Sequence, residues 1–390
     1  MVFQALVLAS GAFSGMLAAG QGASPVSVIP LRMGENYALY APARINGSEF
    51  VCGLDSGGGE RVYLDKSKAM AAGIKPVVEG RSAGPQAESM TSDARTKVVL
   101  ELGTLKLDGQ EVVMQNRPYA GFECAIGLTV LEKYVVELSY QPPTLRVFDA
   151  SQYKYLGHGH VVPFVIDDGN PFVNVNLLFP KGDPVSARLA LDTGGGRPAG
   201  YLSKSFIDKH GIMSRVSKAV PDYWSGMAGN QPRVLAARLP MLELGDLKVA
   251  RPIFFLWQVR GFGGANEPDG LLCPDFLRRF TLIINYPRLE LILNPSPHFQ
   301  DETPFDASGT LIYREGENPY RVFKVTDGSP AAEAGLKEGD VVLEIDGRLA
   351  SQVSMSEIAE ILQADGRECV LRIKRGEAVL TVKVKLHRLI

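Results

Sequence analysis

Two short acidic motifs have the residue types and the spacing to do chemistry together. Asp55 is followed by Ser-Gly-Gly-Gly, Asp192 is followed by Thr-Gly-Gly-Gly, and each motif comes directly after an apolar run. Either motif alone is a weak signal, because an Asx turn at the end of a strand explains most single cases. Two carboxylates at hydrogen-bonding distance, however, cannot both ionise cheaply, so such a pair shares one proton.

A shared proton suits the hydrolysis of an amide bond. The ionised carboxylate takes a proton from a water molecule between the two groups, while the protonated carboxyl donates to the carbonyl oxygen, so that no covalent intermediate forms. Glycine after each hydroxyl residue lets the backbone approach the carboxylates, and the hydroxyls can bond across to the opposite motif. We therefore predict a catalytic pair, Asp55 and Asp192, supported by Ser56, Gly57, Thr193 and Gly194.

An internal repeat predicts how the two motifs are positioned. LELGTLKL begins at Leu100 and LELGDLKV begins at Leu242, 142 residues later, while the two acidic motifs are 137 residues apart. A nearly constant offset over several blocks indicates a tandem duplication, whose copies meet across a pseudo-twofold axis. Alternating apolar and polar residues, as in 172–178, predict that both copies consist of β-strands. We assign residues 24–154 to a first lobe and residues 155–299 to a second lobe.

Each lobe resembles half of a retropepsin or pepsin-type aspartic peptidase, over about residues 26–295. Besides the D-S-G and D-T-G motifs, the resemblance rests on a later hydrophobic-hydrophobic-Gly element. This element corresponds to Ala-Ile-Gly at 125–127 and to Leu-Leu-Cys at 271–273. The string GLLCPDFLRRFTLIINYPRLELIL, from Gly270, is similar to the retropepsin-like proteins of bacteria.

The resemblance implies a mainly β fold with two β-barrel lobes related by pseudo-twofold symmetry, and aspartic endopeptidase activity on a polypeptide substrate. It also implies a mobile hairpin over the cleft in each lobe, which we place at residues 81–96 and 225–233. The sequence departs from the family at Gly58 and Gly195, where Ala or Ser is more usual, and at Cys273, where Gly is usual. These departures bear on how rigidly the loops are held and on the pKa of the pair.

Residues 300–390 have a different pattern and form a third predicted unit, small and of α+β class. The strings SPAAEAGL, from Ser329, and GDVVLEIDG, from Gly339, precede a helix with the capping box Ser354-x-x-Glu357 and then two alternating strands. This block resembles a PDZ domain of the bacterial type. The resemblance implies that a peptide or a protein C-terminus binds as an added strand, with its carboxylate in a backbone loop. We place that loop at Ser308, Gly309, Thr310 and Leu311.

Two other functions fit parts of the same sequence. In the first, a degenerate protease fold binds peptide without cleaving it and the PDZ domain recruits partners, and a single sequence leaves this alternative open. In the second, residues 54–58 approximate the G-D-S-G-G string of trypsin-like serine peptidases. Those enzymes place a histidine well before the serine, whereas the first histidine here is His158, so we do not favour a serine mechanism.

Composition limits the partners and the compartment. With 41 basic residues, 43 acidic residues, a net charge of −2 and no basic run, nothing indicates binding to nucleic acid.

Residues 1–23 are apolar and end in small residues, which predicts a signal peptide and export to the periplasm or the medium. The positive start of a signal peptide is missing, because no Lys or Arg precedes Arg32. Polar and glycine residues interrupt the segment, so we predict no stable membrane span.

Four cysteines without C-x-x-C spacing predict neither a metal site nor a redox site, and we expect no cofactor. Cys52 and Cys124 lie three residues before Asp55 and Gly127, on elements that the aspartic peptidase fold sets side by side. A disulfide between them would suit an oxidising compartment. We nevertheless expect two buried thiols.

Overall fold

The prediction of a mainly β protein is confirmed by the computed structural model. The structure describes residues 23–34, 37–83, 90–115, 123–223, 233–259, 268–314 and 318–390. The predicted signal peptide, residues 1–23, lies outside these ranges except for its last residue. Within them, no helix has the length and the apolar character needed to cross a bilayer.

A closed barrel of six strands is built from residues 39–127. Elements of the surrounding region are β1 (Ser27–Pro30), β2 (Arg32–Met33), β3 (Leu39–Ile45), β4 (Ser48–Asp55), β5 (Val62–Asp65), α1 (Lys66–Ala71), β6 (Val78–Ala83), β7 (Met90–Leu102), β8 (Leu105–Gln115), β9 (Cys124–Gly127), β10 (Tyr134–Tyr140) and β11 (Pro143–Asp149). The ring runs β3–β4–β9–β5–β8–β7, and pairing of β7 with β3 closes it. Every second residue of β3 is buried, which is the period-two pattern of a strand with one face on a core.

A second barrel repeats this arrangement. Its region contains β12 (His160–Pro163), β13 (Val165–Asp167), β14 (Asn170–Leu178), β15 (Val185–Leu191), β16 (Gly200–Leu202), α2 (Lys204–His210), β17 (Ala219–Tyr223), β18 (Arg233–Arg238), β19 (Met241–Leu244), β20 (Leu247–Ala250), β21 (Ile253–Trp257), β22 (Gly270–Leu272), α3 (Pro274–Leu277), β23 (Phe280–Asn285) and β24 (Glu290–Pro295). Leu242 lies in β19 as its repeat partner Leu100 lies in β7. The single strand β7 corresponds to two strands here, β18 and β19, because Pro240 lacks the N–H that a continuous ladder requires.

One sheet joins the two barrels, in the order β1–β11–β10–β23–β24–β12. Its centre is the antiparallel pair β10 and β23, where Val136 is paired with Ile284 and Leu138 with Leu282. All four side chains are at most 1% exposed. Burial of each contributes roughly 1.5–3 kcal/mol to folding. The pseudo-twofold relation of the repeats is therefore fixed by a hydrogen-bonded ladder with an apolar core on it.

The C-terminal domain has a sheet and a core of its own. It comprises β25 (Thr310–Tyr313), β26 (Arg321–Val325), α4 (Pro330–Glu333), β27 (Val341–Ile345), β28 (Arg348–Leu349), α5 (Met355–Leu362), β29 (Glu368–Arg375) and β30 (Ala378–Lys385). The strands are ordered β25–β26–β27–β29–β30, with β28 beside β27. The predicted capping box begins α5, since Ser354 Oγ accepts from the N–H of Glu357 and Glu357 Oε2 accepts from the N–H of Ser354.

Arg238, in β18, fastens the C-terminal domain to the second barrel. Its buried guanidinium donates to the carbonyl oxygens of Thr303, at 2.8 Å, and of Ile390, at 3.3 Å. Leu389 is buried in an apolar cluster that also contains Tyr201 of β16 and residues of β18 and β21. The domain therefore packs beside β16, β18 and β21 of the second barrel, of which β16 directly follows the loop that carries Asp192.

Candidate active site

Asp55 and Asp192 lie at the ends of equivalent strands, β4 and β15. Asp55 Oδ1 accepts the N–H of Gly57 at 2.8 Å, and Asp192 Oδ1 accepts the N–H of Gly194 at 3.0 Å. Each carboxylate is thus oriented by an Asx turn of its own loop. The two side chains are also hydrogen-bonded to each other, across the axis that relates the barrels. The duplicated motifs therefore form one site.

Two hydroxyl groups lock the loops together through four bonds between the barrels. Ser56 Oγ donates to the carbonyl oxygen of Leu191 at 2.7 Å and accepts the N–H of Thr193 at 3.0 Å. Thr193 Oγ1 donates to the carbonyl oxygen of Leu54 at 2.9 Å and accepts the N–H of Ser56 at 2.9 Å. Both side chains are almost completely buried. Loss of either hydroxyl would leave one donor and one acceptor unpaired in the interior.

The glycines of the motifs are required by close approach. A Cβ on Gly194 would lie 2.7 Å from Cγ of Asp55, and a Cβ on Gly57 would lie 3.1 Å from Cγ of Asp192. Each loop therefore packs its backbone against the carboxylate of the opposite barrel. Gly127 is more constrained still, because a Cβ there would lie 2.1 Å from the carbonyl oxygen of Gly59.

Burial and the neighbouring carboxylate set the protonation of the pair. Burial raises the pKa of Asp192 well above its ordinary value, and the charge of Asp55 and their shared hydrogen bond raise it further. The N–H groups of Gly194 and Gly195 lower this pKa, but they do not offset the rise. One proton is therefore shared between the two carboxyl groups.

Cys273 takes the place of Gly127 in the second barrel, and the neighbouring loop makes room for it. Its thiol is fully buried, and a Cβ on Gly195 would lie 2.7 Å from its Sγ. Gly195 and Cys273, the two residues of this barrel that differ from the aspartic peptidase pattern, therefore lie against each other. Burial raises the pKa of Cys273, and the charges of Asp192 and Asp55 raise it further, so the group is a neutral thiol.

The expectation of two buried thiols in the first barrel is wrong, because Cys52 and Cys124 form a disulfide. Strands β4 and β9 run parallel with Gly53 beside Ala125, which brings the preceding cysteines together at a Cα–Cα distance of 4.4 Å. The strand pairing, which the sequence does not specify, decides between the two states. The bond joins two of the strands that position Asp55 and Gly127.

Sequence reasoning missed two tyrosines that surround Asp192. Tyr201 donates its hydroxyl to the carbonyl oxygen of Arg197 at 3.2 Å, which holds the end of the loop that carries Asp192. Tyr140 is buried, and its raised pKa, due first to burial, reflects the charges of Cys273 and Asp192 as well. A signal for Tyr140 was present, since it occupies the same place in the repeat as Tyr286.

The hairpins predicted to cover the cleft are only partly described. Strand β6 pairs with the start of β7, from Val78 beside Arg95 to Ala83 beside Met90, and the intervening tip lies outside the described residues. Strands β17 and β18 pair similarly in the second barrel. The range predicted there, 225–233, lies outside the described residues except for Arg233.

The loop predicted to hold a peptide carboxylate leads into β25, which begins at Thr310. Ser308 is fully buried, while Gly309 has a φ of +71° and packs so closely that a Cβ would lie 2.2 Å from Cβ of Ser329. Leu311 lies within β25, and β25 is an edge strand of its sheet.

Comparison with known proteins identifies the C-terminal domain. A protein-family model described as PDZ domain matches residues 321–375, which span β26 to β29. Residues 321–375 form a PDZ domain. The chain is also 35% identical, over 63 residues, to a protein of Xenopus tropicalis named serine protease HTRA1. This similarity is confined to the PDZ region and covers 16% of the chain, and the chain spans 13% of the length of that relative. A PDZ domain supports a role in binding peptides.

Proposed function

We propose that this protein is an exported aspartic-type endopeptidase, in which Asp55 and Asp192 activate a water molecule and the PDZ domain binds peptide. The observation that carries the proposal is the hydrogen-bonded pair of carboxyl groups at the ends of two equivalent strands. An apolar N-terminal segment and the disulfide between Cys52 and Cys124 support export, since disulfides persist in oxidising compartments.

The shared proton gives the two carboxyl groups different roles in the proposed reaction, with the proton assigned to Asp192. Asp192, whose pKa is raised, carries the shared proton and donates it to the carbonyl oxygen of the scissile amide. Ionised Asp55 takes a proton from the water, whose oxygen attacks the carbonyl carbon to form a tetrahedral diol. Asp55 then returns that proton to the amide nitrogen, and as the C–N bond breaks one hydroxyl of the diol gives its proton back to Asp192, so that the carbonyl of the product acid forms. The pair ends with one proton, as it began.

A serine mechanism is not supported by the contacts of Ser56. Its hydroxyl already donates to the carbonyl oxygen of Leu191 and accepts the N–H of Thr193, and it is completely buried. A nucleophilic serine requires a base within hydrogen-bonding distance. The relative named as a serine protease is similar to this chain only in the PDZ region, so it supports a link with proteolysis but no particular catalytic group.

The test is cleavage of an unfolded substrate, reduced and carboxymethylated casein, between pH 3 and 7. We expect cleavage that pepstatin inhibits, and we expect Asp55→Asn and Asp192→Asn each to lower kcat/KM by at least about 10³-fold, the size of general acid–base catalysis. Asp183→Asn, which removes an exposed carboxylate of the second barrel, serves as the matched control and should be fully active. Cleavage that survives Asp192→Asn would overturn the mechanism. Absence of cleavage in the unsubstituted protein would favour a non-catalytic scaffold.

A further inference from the structure

An internal carboxylate occupies the loop that precedes the edge strand of the PDZ domain. Asp306 Oδ1 accepts the N–H of Ser308 at 3.2 Å and its hydroxyl at 2.6 Å, and Oδ2 accepts the N–H of Gly309. The N–H of Thr310 donates to Ser308 Oγ at 3.1 Å. Each backbone amide has a single hydrogen to donate. The three amides that precede Leu311 are therefore already used within the chain.

Charges around this loop also disfavour an incoming carboxylate. Asp306 lines a cavity of about 110 Å³ together with Asp222, which belongs to β17. Lys324 is the cationic side chain on its wall, and Lys324 pairs with Glu338 at 3.1 Å. Burial raises the pKa of Asp306 to about 6, against the hydrogen bonds that lower it, so Asp306 is anionic at neutral pH. A second carboxylate would meet like charge at short range.

The edge of the sheet, in contrast, offers a place for an added strand. Within the described part of the chain, β25 pairs with β26 and with no other strand. Addition of a strand to such an edge uses main-chain hydrogen bonds along the peptide and does not require a peptide terminus.

We infer that the PDZ domain of this protein binds an internal, extended stretch of a polypeptide and does not select free C-termini, because Asp306 supplies in cis the carboxylate that a terminus would bring. The inference goes beyond peptide hydrolysis and does not depend on it. It assigns to Asp306 the role of a specificity residue that excludes one class of ligand.

The probe is a mixture of decapeptides of random sequence, prepared both as free acids and as C-terminal amides. The full-length chain carries Asp192→Asn, so that the peptides are not cleaved, and peptides retained by the immobilised protein are counted by mass spectrometry. We expect acids and amides of the same sequence to be retained within about twofold of each other. Asp306→Ala should favour the acids at least about tenfold, because it frees amides for charge-assisted hydrogen bonds.

Two further variants keep the result interpretable. Asp306→Asn removes the charge and keeps an acceptor for the loop, so it tests repulsion even where Asp306→Ala does not fold. Asp327→Ala removes an exposed carboxylate of the same domain and should behave as the unsubstituted chain. A preference of at least tenfold for free acids with Asp306 in place would overturn the inference, and so would the retention of neither form.

Discussion

The loops that carry Asp55 and Asp192 make the same hydrogen bonds but have different residues packed around them. Each carboxylate accepts a glycine N–H of its own loop, and the hydroxyls of Ser56 and Thr193 make reciprocal bonds across the axis. Behind the first loop lies Gly127, in a strand tied to its neighbour by a disulfide. Behind the second loop lies the thiol of Cys273, close to Tyr140.

The bonds that orient the carboxylates occur in both loops, whereas the buried thiol occurs beside one loop only. Two carboxylates must be aimed at each other, so the backbone bonds that aim them occur in both loops. The residues packed around the loops differ, because buried Cys273 and Tyr140 lie near Asp192, whose pKa is raised by its own burial and by the neighbouring Asp55. The two copies therefore share the bonds that aim the carboxylates and differ in the residues packed around them.

Removal of the disulfide, which belongs to the first barrel, should have the largest effect on stability. Replacement of both Cys52 and Cys124 by alanine should lower the free energy of unfolding by up to about 4 kcal/mol, because the bond closes a long loop, with a sequence separation of 72 residues. Urea unfolding monitored by fluorescence measures the loss. Cys273→Ala, in the second barrel, is the control and should cost less than half as much. Equal costs would contradict a special role for the bond.

The next prediction concerns activity and the two equivalent positions that hold Gly127 in the first barrel and Cys273 in the second. Gly127→Ala should lower kcat/KM by about 10²-fold, because the added Cβ meets backbone oxygens of Gly58 and Gly59, and displacement of a catalytic loop by about 1 Å has that cost. Cys273→Gly, the equivalent change in reverse, should keep activity within about threefold. If both variants lose the same activity, the two positions are not distinct.

The hydroxyl groups of Ser56 and Thr193 should contribute equally to stability, although different residues pack around the two loops. Ser56→Ala and Thr193→Ala should each destabilise the protein by about 1–3 kcal/mol, because each leaves a buried donor and a buried acceptor unpaired. The exchanges Ser56→Thr and Thr193→Ser keep the hydroxyl and are the controls. Denaturation midpoints measured in parallel decide the matter, and a cost confined to one of the two alanine variants would refute a reciprocal lock.

The smallest effect concerns the pH dependence of stability, which tests whether Asp192 holds the shared proton. Because the pKa of Asp192 is raised in the folded state, the folded protein binds more protons than the unfolded chain above pH 4. Its stability should therefore fall as the pH rises from about 4 towards the folded pKa, with a slope of at most about 1.4 kcal/mol per pH unit from this group. Asp192→Asn should flatten this part of the curve, while Asp306→Asn corrects for the second raised carboxyl. An unchanged slope in Asp192→Asn would place the proton elsewhere.

Features encoded by residues close together in the sequence could be predicted, whereas features that depend on contacts between distant residues could not. The repeat and the alternating strands were sufficient for the mainly β fold, and the strings near Ser329 and Gly339 were sufficient for the PDZ domain, because these signals are local. The repeat also led to the expectation that Asp55 and Asp192 would meet; their catalytic role stays a prediction. The disulfide and the contact of Cys273 with Gly195 depend on strand register, which no local pattern fixes.

The ladder between β10 and β23 has a consequence for the integrity of the protein. The two halves of the site are joined by main-chain bonds and buried side chains of this ladder, and by a covalent connection, residues 151–158, in which exposed residues alternate with partly buried ones such as Tyr153 and Tyr155. A cut in that connection should leave complementary fragments that remain associated, with both aspartates still facing each other. Proteolytic nicking would then go unnoticed in an activity assay and be visible only after denaturation.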